Sequence, residues 1–282
     1  MTDPRPLLVL GGTGTTGRRV AAGLAARGRP VRIGSRRGSP PFEWTAPATW
    51  PAVVDGAGAA YVVFTPDLSF PGASEAVEAF AGVATAAGVD RLVLLSGRGE
   101  PSAQAAEAAL AAVADRAGAR WSVVRASWFA QNFSESFLRP LVLDGVLAVP
   151  AADVPEPFVD ADDIAAVAVA ALTEDGHAGE VYEVTGPDAL TFAAVAETLT
   201  AVIGRSVTFV PLSGGEFVAA AVAGGMPAEE AEGFAELFAA VLDGRNALPQ
   251  DGVVRALGRS PRPFAEFARA AAADGAWEPA RR

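Results

Sequence analysis

Seven residues near the amino end, Gly11-Gly12-Thr13-Gly14-Thr15-Thr16-Gly17, offer bare main-chain N–H groups at the spacing a diphosphate needs. A pyrophosphate must approach the backbone closely, and side chains on the turn would hold it off. Gly11, Gly14 and Gly17 recur every three residues, and Gly12, Gly14 and Gly17 satisfy G-x-G-x-x-G. Thr13, Thr15 and Thr16 add hydroxyl donors, and Gly17 lets a helix lie close to the strand before it. A second cluster, Ser35-Arg36-Arg37, carries two guanidiniums and a hydroxyl where NAD-selective proteins place an acid; the next acid is Glu43. Guanidiniums give bidentate, charge-assisted hydrogen bonds to phosphate, so this cluster suits the 2′-phosphate of NADP(H).

The pattern around these groups supplies elements to hold them. The apolar run Leu7–Leu10 reads as a buried strand, the alanine-rich stretch from Arg18 to Arg27 as a helix ended by Gly28, and Val31–Ile33 as a second strand. Strand, glycine turn, helix and strand in about thirty residues make one βαβ unit. Residues 38–58 read as a loop with one short strand. Residues 59–65 are a buried strand ended by Pro66, 73–87 a helix closed by Gly88, and 91–96 a strand running into Ser96-Gly97. Residues 101–117 are a helix with Pro101 in its first turn and Gly118 past its end, and 121–125 a further strand. Beyond Arg125 the rhythm loosens. Residues 126–143 are rich in aromatics, 144–159 read as a short hairpin or loop pair, and 160–173 as a helix opened by Asp160, Asp162 and Asp163. Residues 181–185 and 207–210 are strands; 191–204, 214–242 (broken at 224–227) and 263–273 are helices. This alternation predicts an α/β fold, a Rossmann-type doubly wound parallel sheet with a smaller C-terminal substrate-binding region. The expected division is a cofactor domain over 1–155 and a substrate region over 156–282, with a late strand returning to the sheet.

Composition narrows the chemistry. The 282 residues are 51% hydrophobic, enough for a sizeable core, and no stretch reads as a membrane span or signal peptide. The net charge of −11 argues against general affinity for nucleic acid. There is no cysteine, which removes disulfides, thiolate catalysis and thiolate-held metals; no metal site is expected, and a cytoplasmic protein is the simplest reading. All 22 basic residues are arginine. Without lysine the glycine turn is not a Walker loop, and neither Schiff-base chemistry nor a tyrosine–lysine pair is open to this chain.

Several motifs together resemble the NmrA-like group of atypical short-chain dehydrogenase/reductases. They are GGTGTTGRRV, the Ser-Arg-Arg after the second strand, LLSG at 94–97, WSVVRASWFAQNF at 121–133, PFVDADDIAAVAVAAL at 157–172 and GEVYEVTGPDALTF at 179–192. The resemblance implies a pyrophosphate held by Gly11–Gly17 and a 2′-phosphate held by Arg36 with Ser35 and Arg37. It implies that Thr65 and Pro66 line the ribose and nicotinamide side, that Ser96 and Gly97 lie beside the nicotinamide, and that Ala126–Phe129 cover its other edge. Members of the group include NADPH-dependent quinone reductases, reductases of benzylic ether, enone or iminium substrates, and NADP sensors without turnover that bind regulators. This chain departs from the Tyr-x-x-x-Lys pair of typical members: its tyrosines, Tyr61 and Tyr182, have no lysine partner, and Glu107 stands where some relatives carry a lysine. The proton donor is therefore left open.

Hydride transfer needs no protein acid if the acceptor is already electrophilic and the pocket is dry. The expected activity is an NADPH-dependent reduction of a C=O, C=N or activated C=C bond in an apolar small molecule; a sensor without turnover, and an isomerase or cyclase, are the alternatives. Ser96, Gln104 and Ser127 are the polar groups expected nearest the nicotinamide, with strand-end and helix-start capping as their ordinary role. Glu107 is expected to partner an arginine. Trp128, Asn132 and Phe133, with Phe137, Phe217, Met226, Phe234 and Phe238, are expected to wall the substrate. His177 is expected in a surface loop without a catalytic role. The sequence leaves the substrate, and the choice of monomer or dimer, open.

Overall fold

The computed structural model describes residues 5–278. In chain order the first elements are β1 (Leu7–Leu10), α1 (Thr15–Ala26), β2 (Val31–Gly34), α2 (Trp50–Val54), β3 (Ala59–Val62), α3 (Ala73–Ala86), β4 (Arg91–Gly97), α4 (Pro101–Ala117) and β5 (Arg120–Ala126). They continue as α5 (Asn132–Glu135), α6 (Arg139–Asp144), β6 (Val146–Val149), α7 (Ala161–Thr173), β7 (Glu180–Val184), α8 (Phe192–Ile203) and β8 (Thr208–Pro211). The last are α9 (Gly214–Ala223), α10 (Ala228–Val241), α11 (Gly252–Leu257) and α12 (Phe264–Ala273). No helix among the described residues is long and apolar enough to cross a membrane.

The chain forms two compact units. The first holds Met1–Ala126, Ala161–Val184 and Asp251–Ser260; the second holds Ser127–Asp160, Thr185–Gln250 and Pro261–Arg282. The division expected at residues 155 and 156 is thus replaced by one at Ala126, with the chain returning twice to the first unit. The reason is the sheet: α7 and β7, from the expected substrate region, complete it.

The first unit is a six-stranded sheet in the order β2-β1-β3-β4-β5-β7, parallel throughout. β1 is buried along its whole length because strands flank it on both sides, which explains its unbroken leucine and valine run. Helices α3 and α4 pack together, and α1 packs with α7, so the sheet is doubly wound. From β1 the chain moves to β2 on one side and then to β3 on the other. That reversal is the switch point at whose carboxyl edge such sheets bind ligands. The short strand expected within 38–58 is absent; a 3₁₀ turn and α2 stand there instead. Trp44 and Trp50 anchor this segment, their indole N–H groups donating to the Val63 and Glu43 carbonyls, and Phe42 and Phe80 close an aromatic cluster around them.

The second unit is built on aromatics. Phe133, Phe158, Phe192 and Phe264 meet at centroid distances of 5.3–5.9 Å, and Phe238 and Trp128 extend the cluster. β6 and β8 pair in parallel, so residues 144–159 hold no hairpin: Val146–Val149 find their partner about sixty residues later. Phe192 is fully buried and touches five other rings. Replacing it by alanine is expected to cost about 3–5 kcal/mol, read as a lower midpoint in urea unfolding followed by tryptophan fluorescence.

Candidate active site

The glycine turn forms where β1 ends and α1 begins. Gly11 has φ +61°, a left-handed conformation that suits glycine, and its N–H donates to the Gly34 carbonyl at 3.1 Å. The Gly14 N–H closes the turn on the Gly11 carbonyl at 2.8 Å. Gly17 sits in the first turn of α1, and a Cβ there would lie 2.2 Å from the Gly11 carbonyl oxygen and 2.9 Å from Gly12 Cα. Both obstacles are backbone and cannot move aside. A Cβ at Gly12 would meet only the Ile33 side chain, at 2.6 Å.

The N-cap of α1, Gly14, has no side chain, and the first turn carries no acid. The first amides of the twelve-residue helix therefore receive no side-chain acceptor. Thr13 and Gly14 are exposed, Thr15 is half-buried and Thr16 is buried. At the end of β2, Ser35 is half-buried while Arg36 and Arg37 are exposed, and no carboxylate among the described residues pairs with either guanidinium. Uncapped amides, a turn that excludes side chains and two cations without acidic partners fit a dinucleotide with a phosphorylated ribose.

Farther along the same edge, Thr65 and Pro66 are exposed just past β3, and Ser96 and Gly97 end β4. Ser96 is buried, and its hydroxyl donates to Glu107 Oε1 at 2.5 Å. Glu107 in turn takes two hydrogen bonds from Arg125, and Arg125 reaches Glu183 at 2.9 Å. Arg98 binds the same glutamate at 3.1 Å. The hydrogen bonds that Arg125 donates to Glu107 raise its pKa further, outweighing its burial. This network ties α4, β4, β5 and β7 together and gives Glu107 its arginine partner. Gln104 is exposed on α4.

In the second unit, Ser127 is buried and donates to the Pro157 carbonyl at 2.6 Å, so its hydroxyl is already engaged. Ala126 is buried at the end of β5; Phe129 is half-buried and bridges to Val159. Trp128 is half-buried against Phe238, and Asn132 opens α5 half-buried. Phe133, expected in a substrate wall, is fully buried among Phe158, Phe192 and Phe264 and serves the core instead, as does Phe238. Phe137 and Phe234 stack at 4.5 Å. His177 is also not where the sequence put it: its ring is buried, with Nδ1 2.7 Å from the Tyr182 hydroxyl, and its carbonyl accepts from Ser122.

Two carboxylates at this edge escaped sequence reasoning. Glu100 is the N-cap of α4 but does not cap it. Its side chain folds back over Gly97, so that a Cβ on Gly97 would lie 2.1 Å from Oε1. Oε2 is buried, and no N–H or hydroxyl donor reaches it. Asp67, just past β3, faces it, with Oδ1 fixed by the Ser69 N–H at 2.8 Å. Burial first, and then the Asp67 charge, push Glu100 up to about 8. The only sequence signals were an acid three residues after Gly97 and another two after Thr65, both in positions that ordinarily read as caps.

No protein-family profile matches the chain. It is 33% identical over 281 residues to an uncharacterized oxidoreductase, YesF, of Bacillus subtilis (strain 168), covering 97% of each. It is also 33% identical to an NAD(P)H azoreductase of Xenophilus azovorans, covering 95% of this chain and 98% of that one. Among solved structures, a Citrobacter triphenylmethane reductase with NADP(H) aligns at TM-score 0.77 and 20% identity, covering 94% and 99%. A mutant NmrA aligns at TM-score 0.67 and 16% identity, covering 95% of each chain.

Two outcomes follow from the geometry. Gly17→Ala should weaken NADPH binding at least about tenfold, a loss of about 1.4 kcal/mol, whereas Gly12→Ala should weaken it less, because a side chain can yield. Fluorescence titration with NADPH checks both. Glu100 holds a proton in the folded state that the unfolded chain, near the ordinary 4.5, releases. The folded state therefore loses stability as pH rises from about 4.5 through about 8. The melting temperature should fall across that window, and Glu100→Gln should flatten the fall.

Proposed function

This chain belongs to the NmrA-like group of atypical short-chain dehydrogenase/reductases, and on that premise we propose that it reduces a C=O, C=N or activated C=C bond in an apolar small molecule of quinone, imine or enone type. It is an oxidoreductase of the NADP(H)-dependent kind. When bound, NADPH supplies a hydride. The residues of the first unit that would hold it are the amides and hydroxyls of Gly11 to Gly17, with Ser35, Arg36 and Arg37 on the 2′-phosphate and Thr65, Pro66, Ser96, Gly97 and Ala126 along its nicotinamide half.

The observation that carries this reading is the pairing of an uncapped helix start with two exposed, carboxylate-free guanidiniums. Neither feature is useful to folding. Uncapped amides cost stability unless something accepts from them, and adjacent arginines without acids repel each other. Both become favourable on binding a phosphorylated dinucleotide. The preference for electrophilic acceptors follows from the missing Tyr-x-x-x-Lys pair and from the engaged hydroxyls of Ser96 and Ser127. A relative named as an azoreductase adds N=N to the acceptor types worth testing. Trp128 and Asn132 are the side chains we assign to the substrate.

The alternative, an NADP-binding sensor without turnover, draws on the same missing pair. Following NADPH absorbance with a panel of quinones, cyclic imines, enones and azo dyes separates the two. Turnover of at least one acceptor class is expected; equal binding of NADP⁺ and NADPH with no turnover would contradict the reductase reading. Arg36→Asp should move the NADPH-to-NADH preference at least about tenfold towards NADH, since charge-assisted hydrogen bonds contribute about 1.5–3 kcal/mol each. Unchanged preference in steady-state assays would contradict the assignment of the 2′-phosphate.

A further inference from the structure

We propose that Glu100 donates the proton that reduction of a neutral acceptor requires, with Asp67 as its facing carboxylate. This rests on the reductase reading above. Hydride addition to a quinone or neutral imine leaves charge on oxygen or nitrogen, and a proton must meet it. The family's tyrosine–lysine pair is missing, and the other candidate groups of the first unit are engaged or fully buried. Ser96 donates to Glu107, and Glu107 is held by Arg125. Tyr182 binds His177 before the start of β7, away from the carboxyl edge. Tyr61 lies inside the sheet, fully buried.

Glu100 is placed differently. β3 and β4 are neighbours, and β3 also borders β1, whose end carries the glycine turn. Asp67 and Glu100 follow the carboxyl ends of β3 and β4, so both lie at the switch-point edge where this fold binds ligands. A glutamate at a helix N-cap ordinarily turns its carboxylate to the first amides. Glu100 instead lies against Gly97, and only glycine there leaves it room. No N–H or hydroxyl donor reaches its buried Oε2, which is costly for an ionised oxygen, whereas a hydrogen bond with the Asp67 carboxylate favours the neutral acid. The charged group acting on it is Asp67; Arg98, nearby in sequence, pairs with Glu183. Two carboxylates in one site ionise one at a time, and the shift of Glu100 to about 8 leaves the proton on it at neutral pH.

The acceptor would gain a hydride, on carbon for an imine and on one oxygen for a quinone, from NADPH, which would be oxidised to NADP⁺. The O–H bond of Glu100 breaks as an O–H or N–H bond forms on the acceptor heteroatom. The Glu100 carboxylate then regains a proton from solvent. A triphenylmethane dye cation needs hydride alone, so it reports on the machinery without the acid.

The test has two readouts. Infrared titration of the protein without cofactor should show a protonated carboxyl that ionises with a midpoint near 8. It should be absent in Glu100→Gln and shifted to lower pH in Asp67→Asn. In parallel, the ratio of p-benzoquinone turnover to dye-cation turnover should fall about a hundredfold in Glu100→Gln, the lower end of the range for general acids. Native quinone turnover should decline as pH rises above about 8. A native protein that reduces both acceptors, with a ratio that Glu100→Gln leaves unchanged or with no carboxyl titrating near 8, overturns the assignment and leaves the reductase standing. A native protein that reduces neither of these nor any other member of the quinone, imine, enone and azo panel overturns both.

Discussion

The contact between Gly17 and the Gly11 carbonyl is the constraint on which the rest of this protein depends. A Cβ at position 17 would sit 2.2 Å from that oxygen, so helix α1 can start where it does only because residue 17 has none. The close start brings the positive end of α1 to the carboxyl edge of β1, beside the point where the sheet reverses direction. The sheet order, the buried leucine run of β1 and the packing of α1 with α7 all hold that edge in place. Binding energy for an anion is thus prepared during folding rather than at the moment of contact.

Arginine performs two opposite tasks in this lysine-free chain. Inside the first unit, Arg125 and Arg98 are satisfied by Glu107 and Glu183, and the fork of Arg125 joins helix α4 to strand β7 through charge-assisted bonds. At the rim, no acid among the described residues pairs with Arg36 or Arg37. The first arrangement fixes the geometry of the strand ends; the second keeps positive potential for a ligand. Ser96 belongs to the first arrangement, since its hydroxyl is committed to Glu107, and its role is to link strand end to network.

The βαβ opening was legible because each of its requirements is local. Leu7–Leu10, the three-residue glycine spacing and Gly28 are each decided by their immediate neighbours. Features decided by distant residues were not. Residues 146–149 read as part of a hairpin or loop pair because nothing nearby reveals that Thr208–Pro211 will pair with them. The strand expected in 38–58 gave way to helical turns because Trp44 and Trp50 found partners in a cluster with Phe80. His177 sits among Gly, Asp and Glu in sequence, yet Tyr182 and Ser122 bury it. Phe133 was placed at a pocket wall from its position after β5, whereas three other phenylalanines claim it for the core. Glu100 was hidden by its ordinary setting: an acid before Pro101 reads as a helix cap, and only the fold shows it turned onto Gly97 and facing Asp67.

The most direct test of the central claim is parallel calorimetric titration of the unaltered protein with NADP⁺ and NAD⁺ at one salt concentration. Both should bind at a single site, and NADP⁺ should bind tighter by at least about tenfold, or about 1.4 kcal/mol, because only it offers the 2′-phosphate. Equal affinities would contradict the role of the arginine pair, and no binding of either would contradict the glycine cradle itself.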